Sequence, residues 1–103
     1  MRSFKNIARL IRLKRITHPS GYSQLELSTM LGYKNGQFLS NIERGLCNIP
    51  LKVLREISTL LEICPEEIKS VMLMDQAETL DKYFSINHPK TKKIRKERSH
   101  IFY

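Results

Sequence analysis

Apolar residues recur at helical spacing along most of the chain, and short polar, Gly- or Pro-containing breaks divide them into five segments. Phe4, Ile7, Ala8 and Ile11 share one stripe with Leu10 at its edge, which predicts a first helix over about Phe4–Ile16. Lys5, Arg9 and Arg12 lie on the other side, while Lys14 falls near the apolar stripe and Leu13 away from it, a swap that periodicity does not explain. Thr17-His18-Pro19-Ser20-Gly21 has the composition of a turn. A second helix starts after Ser23, with Glu26 three residues on to complete a capping box, buries Leu27, Met30 and Leu31, and stops at Gly32. Asn35 is the expected N-cap of a third helix that runs to Arg44 before Gly45. Pro50 opens a fourth, with the stripe Leu51, Leu54, Ile57 and Leu61. Pro65-Glu66-Glu67 opens a long fifth, where proline and acids both suit a helix N-terminus.

The fifth helix carries two apolar sets. Ile68, Val71 and Met72 are placed to face the core. Leu73, Ala77, Leu80 and Phe84 continue beyond the reach of four short helices, a row that fits a second chain or packing within this one. Asn87-His88-Pro89 ends the pattern. Residues 90–98 are a basic run with Ile94 as its one apolar residue, which reads as a flexible tail or as an arm that orders on a partner. The expected organisation is therefore an all-α helical domain over 1–86 and a basic tail over 87–103.

The third helix is the most informative. Leu39 and Ile42 make one side apolar, while Gln37, Ser40 and Asn41 make another side of small and amide residues. A helix that only fills a core has no need of those amides, whereas amides pair bidentately with adenine and a serine hydroxyl serves either base type. Phe38 has two readings, contact with a thymine methyl or closure of the core.

Charge supports a polyanion partner. The chain of 103 residues has a formal net charge of +8, and it is concentrated at the ends. Arg2, Lys5, Arg9, Arg12, Lys14 and Arg15 open it without an acid, the middle is mildly acidic, and the tail is basic. Cys47 and Cys64 lack C-x-x-C spacing and nearby histidines, so two reduced, at least partly buried thiols are expected, with no metal. No run approaches the roughly eighteen apolar residues of a membrane helix. The basic N-terminus is not followed by an apolar stretch of the kind a secretion signal needs. His18, His88 and His100 lie in loops or the tail, and no nucleophile constellation, carboxylate pair or phosphate-cradling glycine loop stands out, so no catalytic activity and no cofactor are expected.

Gln24, Leu27, Ser28, Leu31, Gly32, Leu39, Ile42-Glu43-Arg44-Gly45 and the run Pro50-Leu51, Leu54, Ile57, Leu60-Leu61, in this order and spacing, resemble the Cro and phage-repressor helix-turn-helix family, also called the xenobiotic-response-element type. The resemblance covers about residues 4–70, with the helix-turn-helix unit at 23–45. It departs in a longer first loop and in one extra residue in the turn Tyr33-Lys34-Asn35-Gly36, like a subgroup in which Gln-Phe-Ile-Ser-Asn follows such a turn. The implied fold is a compact five-helix, lambda-repressor-like DNA-binding domain with an extended last helix and a basic tail.

The implied activity is sequence-specific transcriptional regulation in the cytoplasm, on the nucleoid, with the third helix in the major groove of double-stranded DNA and a homodimer on a two-fold site. Gln37, Ser40, Asn41 and Phe38 are then the base-reading candidates. Gln24, Lys34, Asn35, Arg44 and Asn48 are candidates for phosphate contact, which positions a protein without specifying sequence. Ser28 is small because the third helix crosses close to it, and Glu43 fits a structural role, capping or pairing with a basic group of the domain. An antitoxin or a protein-interaction module built on the same helices is the alternative function. A third is non-specific nucleic-acid or RNA binding through the tail, which ends in Ile101-Phe102-Tyr103. The tail itself suits phosphates, a minor groove or solubility alone.

Overall fold

The computed structural model describes residues 3–87, and within them the chain forms five α-helices and no strand. They are α1 (Lys5–Thr17), α2 (Gln24–Met30), α3 (Gln37–Glu43), α4 (Leu51–Leu60) and α5 (Pro65–Asn87). The five expected segments are all present, with ends shifted by a residue or two, as helix ends commonly are. Arg2 and the basic run 90–98 lie outside the described residues, as does all of the tail except Asn87, which is the last residue of α5.

One core joins the first four helices. Ile7 and Ile11 of α1, Leu27 of α2, Leu39 and Ile42 of α3, and Leu54 and Ile57 of α4 are buried together with Ile49, Leu61 and Ile63 from the connections. Each such side chain contributes about 1.5–3 kcal/mol through burial. Phe4, Leu10, Leu31, Ile68 and Val71 pack around them.

Three residues expected on inward-facing sides are on the surface instead. Met30 is exposed, because α2 is under two turns long and Leu27 and Leu31 already take its inner side. Leu51 is 73% exposed. It begins α4 at the rim of a shallow groove that α5 leaves uncovered, lined also by Leu54, Met72 and Leu73. Met72, expected inside, lies in that groove and is exposed. Cys64 is exposed as well, while Cys47 is half-buried, its thiol pushed up in pKa by burial; neither forms a disulfide.

The caps follow local sequence closely. Ser23 Oγ accepts the Glu26 N–H at 3.0 Å and Glu26 Oε1 accepts the Ser23 N–H at 2.8 Å, so the capping box is complete. At the other end of α2, Gly32 takes φ +94°, and the Gly32 and Tyr33 N–H groups donate back to Thr29 and Ser28 at 3.0 Å. A residue with a Cβ pays for that left-handed backbone, which is why glycine ends the helix here.

α1 has no such local cap: Phe4 precedes it and supplies no side-chain acceptor. Its cap comes from α5. Asp75 is buried, and its two carboxylate oxygens accept the Asn6 N–H at 2.8 Å and the Ile7 N–H at 3.0 Å. One turn on, Glu78 Oε2 accepts the Asn6 amide at 3.0 Å and Thr79 Oγ1 accepts the Ser3 N–H at 2.7 Å. The carboxylate also offsets the positive end of the α1 dipole. Lys14 is explained by the same packing, since its ammonium lies 3.2 Å from Glu67 on α5. Leu13, opposite, is exposed.

Candidate nucleic-acid interface

α3 is held on three sides by side chains whose chemistry suits a fixed platform. Leu39 and Ile42 are fully buried beneath it. At its end, Glu43 takes a fork of hydrogen bonds from Arg15 of α1, Nε to Oε2 at 2.6 Å and Nη2 to Oε1 at 2.9 Å. Gln24 of α2 donates to the same Oε1 at 2.9 Å, and Arg15 Nη1 donates to the Tyr22 carbonyl at 3.0 Å. Glu43 thus ties three helices through charge-assisted bonds, which are shorter and stronger than neutral ones. The structural role expected of Glu43 is the one it has. Gln24 is drawn into this cluster through its Nε2.

The turn before α3 absorbs its extra residue without a regular cap. Gly36, not Asn35, occupies the N-cap position and offers no side chain. Asn35, one residue before it, still contributes, its Oδ1 accepting the Gln37 N–H at 2.9 Å. Gly36 lies against the start of α2, where a Cβ would stand in van der Waals contact, 3.4 Å from the Leu25 nitrogen. The turn rests on α2, and α3 begins at Gln37.

The outer face of α3 presents Gln37, exposed, with Ser40 and Asn41 half-exposed. Gln37 Nε2 donates to Asn41 Oδ1 at 2.9 Å, and Arg44 Nη2 donates to the same oxygen at 3.1 Å. The spacing of four residues that places both amides on one face also lets them bond. Phe38 is half-buried against the core and stacks on Tyr33, ring centroids 4.1 Å apart. Lys34, Asn35 and Asn48 are exposed in the connections that flank α3. Arg44 is exposed too, but its guanidinium is engaged on Asn41.

Two residues central to this geometry carried no signal of their own in the sequence. Arg15 sits in a basic run and looks like its neighbours, and only a buried acid at Glu43 marks that some cation must reach it. Asp75 sits in the middle of α5, where acids are usually solvated. Among the described residues no cluster of His, Cys, Asp and Glu has the arrangement of a metal site, and no helix is long and apolar enough to cross a membrane.

Compared with protein families, characterised proteins and solved structures, the chain finds no match.

Proposed function

We propose that the protein is a sequence-specific double-stranded DNA-binding regulator of transcription, with α3 entering the major groove. A lambda-repressor-like arrangement of the five helices belongs to the same proposal, and so does membership of the Cro and phage-repressor type. The observation that carries it is the pairing of a rigid base with a polar outer face: Leu39, Ile42 and the Arg15–Glu43 fork fix α3 from below, and Gln37, Ser40 and Asn41 stand above it. Solvated surface helices are usually rich in charge, whereas base edges are read by amides and hydroxyls. Lys34, Asn35 and Asn48 flank that face and serve as phosphate contacts, with the Gln24 Oε1 oriented by Glu43 at the margin. The working form is a homodimer, formed through the exposed row Leu73, Ala77 and Leu80 of α5 with Phe84 at its end, because a two-fold pair doubles a short readout. No cofactor and no catalysis are assigned, and the site of action is the nucleoid.

Titration of the full chain against random duplex DNA and against duplexes enriched by selection, at two salt concentrations, tests this. Tighter binding of enriched sequences at both concentrations supports it. A steep salt dependence without sequence preference withdraws the specificity and leaves a phosphate binder. The apolar groove between α4 and α5 favours a second reading, an antitoxin or interaction module that docks a partner protein. A toxin-like reading frame beside the gene would favour that one.

A further inference from the structure

We propose that Asn41 reads its base as a donor only, with its polarity set by Arg44, so that the base it meets presents acceptors in the major groove: guanine through O6 and N7, or thymine through O4. The assignment rests on α3 being the base-reading helix. It starts from Arg44, whose guanidinium has donors and no acceptor. The Asn41 atom 3.1 Å from Arg44 Nη2 must therefore be the oxygen. That oxygen also faces the Gln37 amide at 2.9 Å, so the Gln37 atom there must be the nitrogen. One cation thus orients two amides in series.

The consequence is a lopsided pair. Both lone pairs of Asn41 Oδ1 are taken, and what Asn41 offers outward is its Nδ2 group, two donors. It has no acceptor left for the N6 amine of adenine or the N4 amine of cytosine, so cytosine offers it no partner and adenine offers N7 alone, beside an unmatched amine. Gln37 keeps one N–H and its Oε1, a donor and an acceptor side by side, the pattern that matches adenine N7 and N6. Four residues of helix rise about 6 Å, close to two base steps. Gln37 and Asn41 therefore meet base pairs about two steps apart, one able to carry adenine and one that disfavours it. Arg44 is then a positioning residue acting through Asn41, not primarily a phosphate contact.

Selection from a random duplex pool, with the full chain and with Asn41→Ala, Asn41→Asp and Arg44→Met, tests this. Both residues lie on the surface of α3 or its end, and circular dichroism checks that each variant keeps the helical fold. The position belonging to Asn41 is the one whose preference disappears in Asn41→Ala. Guanine or thymine there in the wild type supports the inference, and the pool decides between them. Asn41→Asp should move that position toward cytosine or adenine, because it offers acceptors. Arg44→Met should relax discrimination against adenine there by about tenfold, since it frees the Asn41 oxygen. Adenine or cytosine preferred in the wild type overturns the inference, as does an Arg44→Met variant that weakens every sequence uniformly and keeps the same preferences; both leave DNA reading itself standing. No sequence preference at any position instead removes the base-reading function, and this inference with it.

Discussion

Arg15 and Glu43 meet in a two-bond fork that joins the first helix to the third, with side chains only 13% and 2% exposed. Glu43 raises the already high pKa of the guanidinium, mainly through the hydrogen bond between them. Removing one partner leaves the other charge buried and unpaired. Glu43→Ala is therefore expected to cost about 3 kcal/mol of folding free energy. The double variant Arg15→Met with Glu43→Met should recover most of that loss, because neither charge remains. Urea denaturation of the three proteins decides it. A loss under about 1 kcal/mol in Glu43→Ala would place the pair among ordinary surface bridges.

Asp75 caps a helix to which it does not belong. In Asp75→Asn one carboxylate oxygen becomes an NH2 group facing a backbone N–H of Asn6 or Ile7, so a buried donor loses its acceptor. The expected cost is about 1–3 kcal/mol. Hydrogen exchange at the Asn6 and Ile7 amides should quicken along with the global loss, and protection equal to wild type would show that the cap is supplied otherwise.

Ser28 is fully buried on α2, and its hydroxyl has no hydrogen-bond partner among the described residues. Its small size suits full burial on α2, and its oxygen makes no hydrogen bond among the described residues. Ser28→Ala is accordingly expected to stabilise the fold by about 1 kcal/mol, the cost of an unpaired buried hydroxyl. Ser28→Val should destabilise it by about 1–3 kcal/mol through overpacking. A thermal midpoint lowered in Ser28→Ala would mean that the hydroxyl is satisfied after all.

Acid should weaken the fold through two glutamates. Glu26 is held below the usual carboxylate range by the Ser23 backbone N–H and hydroxyl. Glu78 is held below it chiefly by the Asn6 amide, with Lys5, Lys82 and Ser3 adding to the effect. A carboxyl depressed in the fold binds its proton more readily when unfolded, so its contribution is complete above the unfolded value of about 4.3 and is lost as pH falls through the lower folded one. Denaturation midpoints measured from neutral pH down to about 3 should show this decline, and it should be shallower in a Glu26→Gln, Glu78→Gln variant. Identical acid limbs would assign the decline to other groups.

The elements and most of the core were legible in the chain because they rest on local signals. The Ser23–Glu26 box, Gly32, Pro65 and the spacing of Ile7, Ile11, Leu54 and Ile57 each act within one helix or one turn. Stripe membership was less legible at helix ends, where Leu51 and Met30 have the right spacing but nothing opposite to cover them. The cap of α3 misled for a related reason: Asn35 is a good cap by type, but Gly36, which lies against α2, takes the N-cap position.

By itself the sequence determined five helices, their stop signals and the set of residues on the outer face of α3, since periodicity and capping chemistry are properties of neighbours along the chain. The tertiary structure alone decided who partners whom: Asp75 with the N-terminus of α1, Lys14 with Glu67, Arg15 with Glu43 and Gln24. Each of these joins different helices, and hydrogen bonds and ion pairs depend on distances that only packing creates. Arg44 with Asn41 stands between the two cases, three residues apart in sequence, with its bond set by how α3 ends in space.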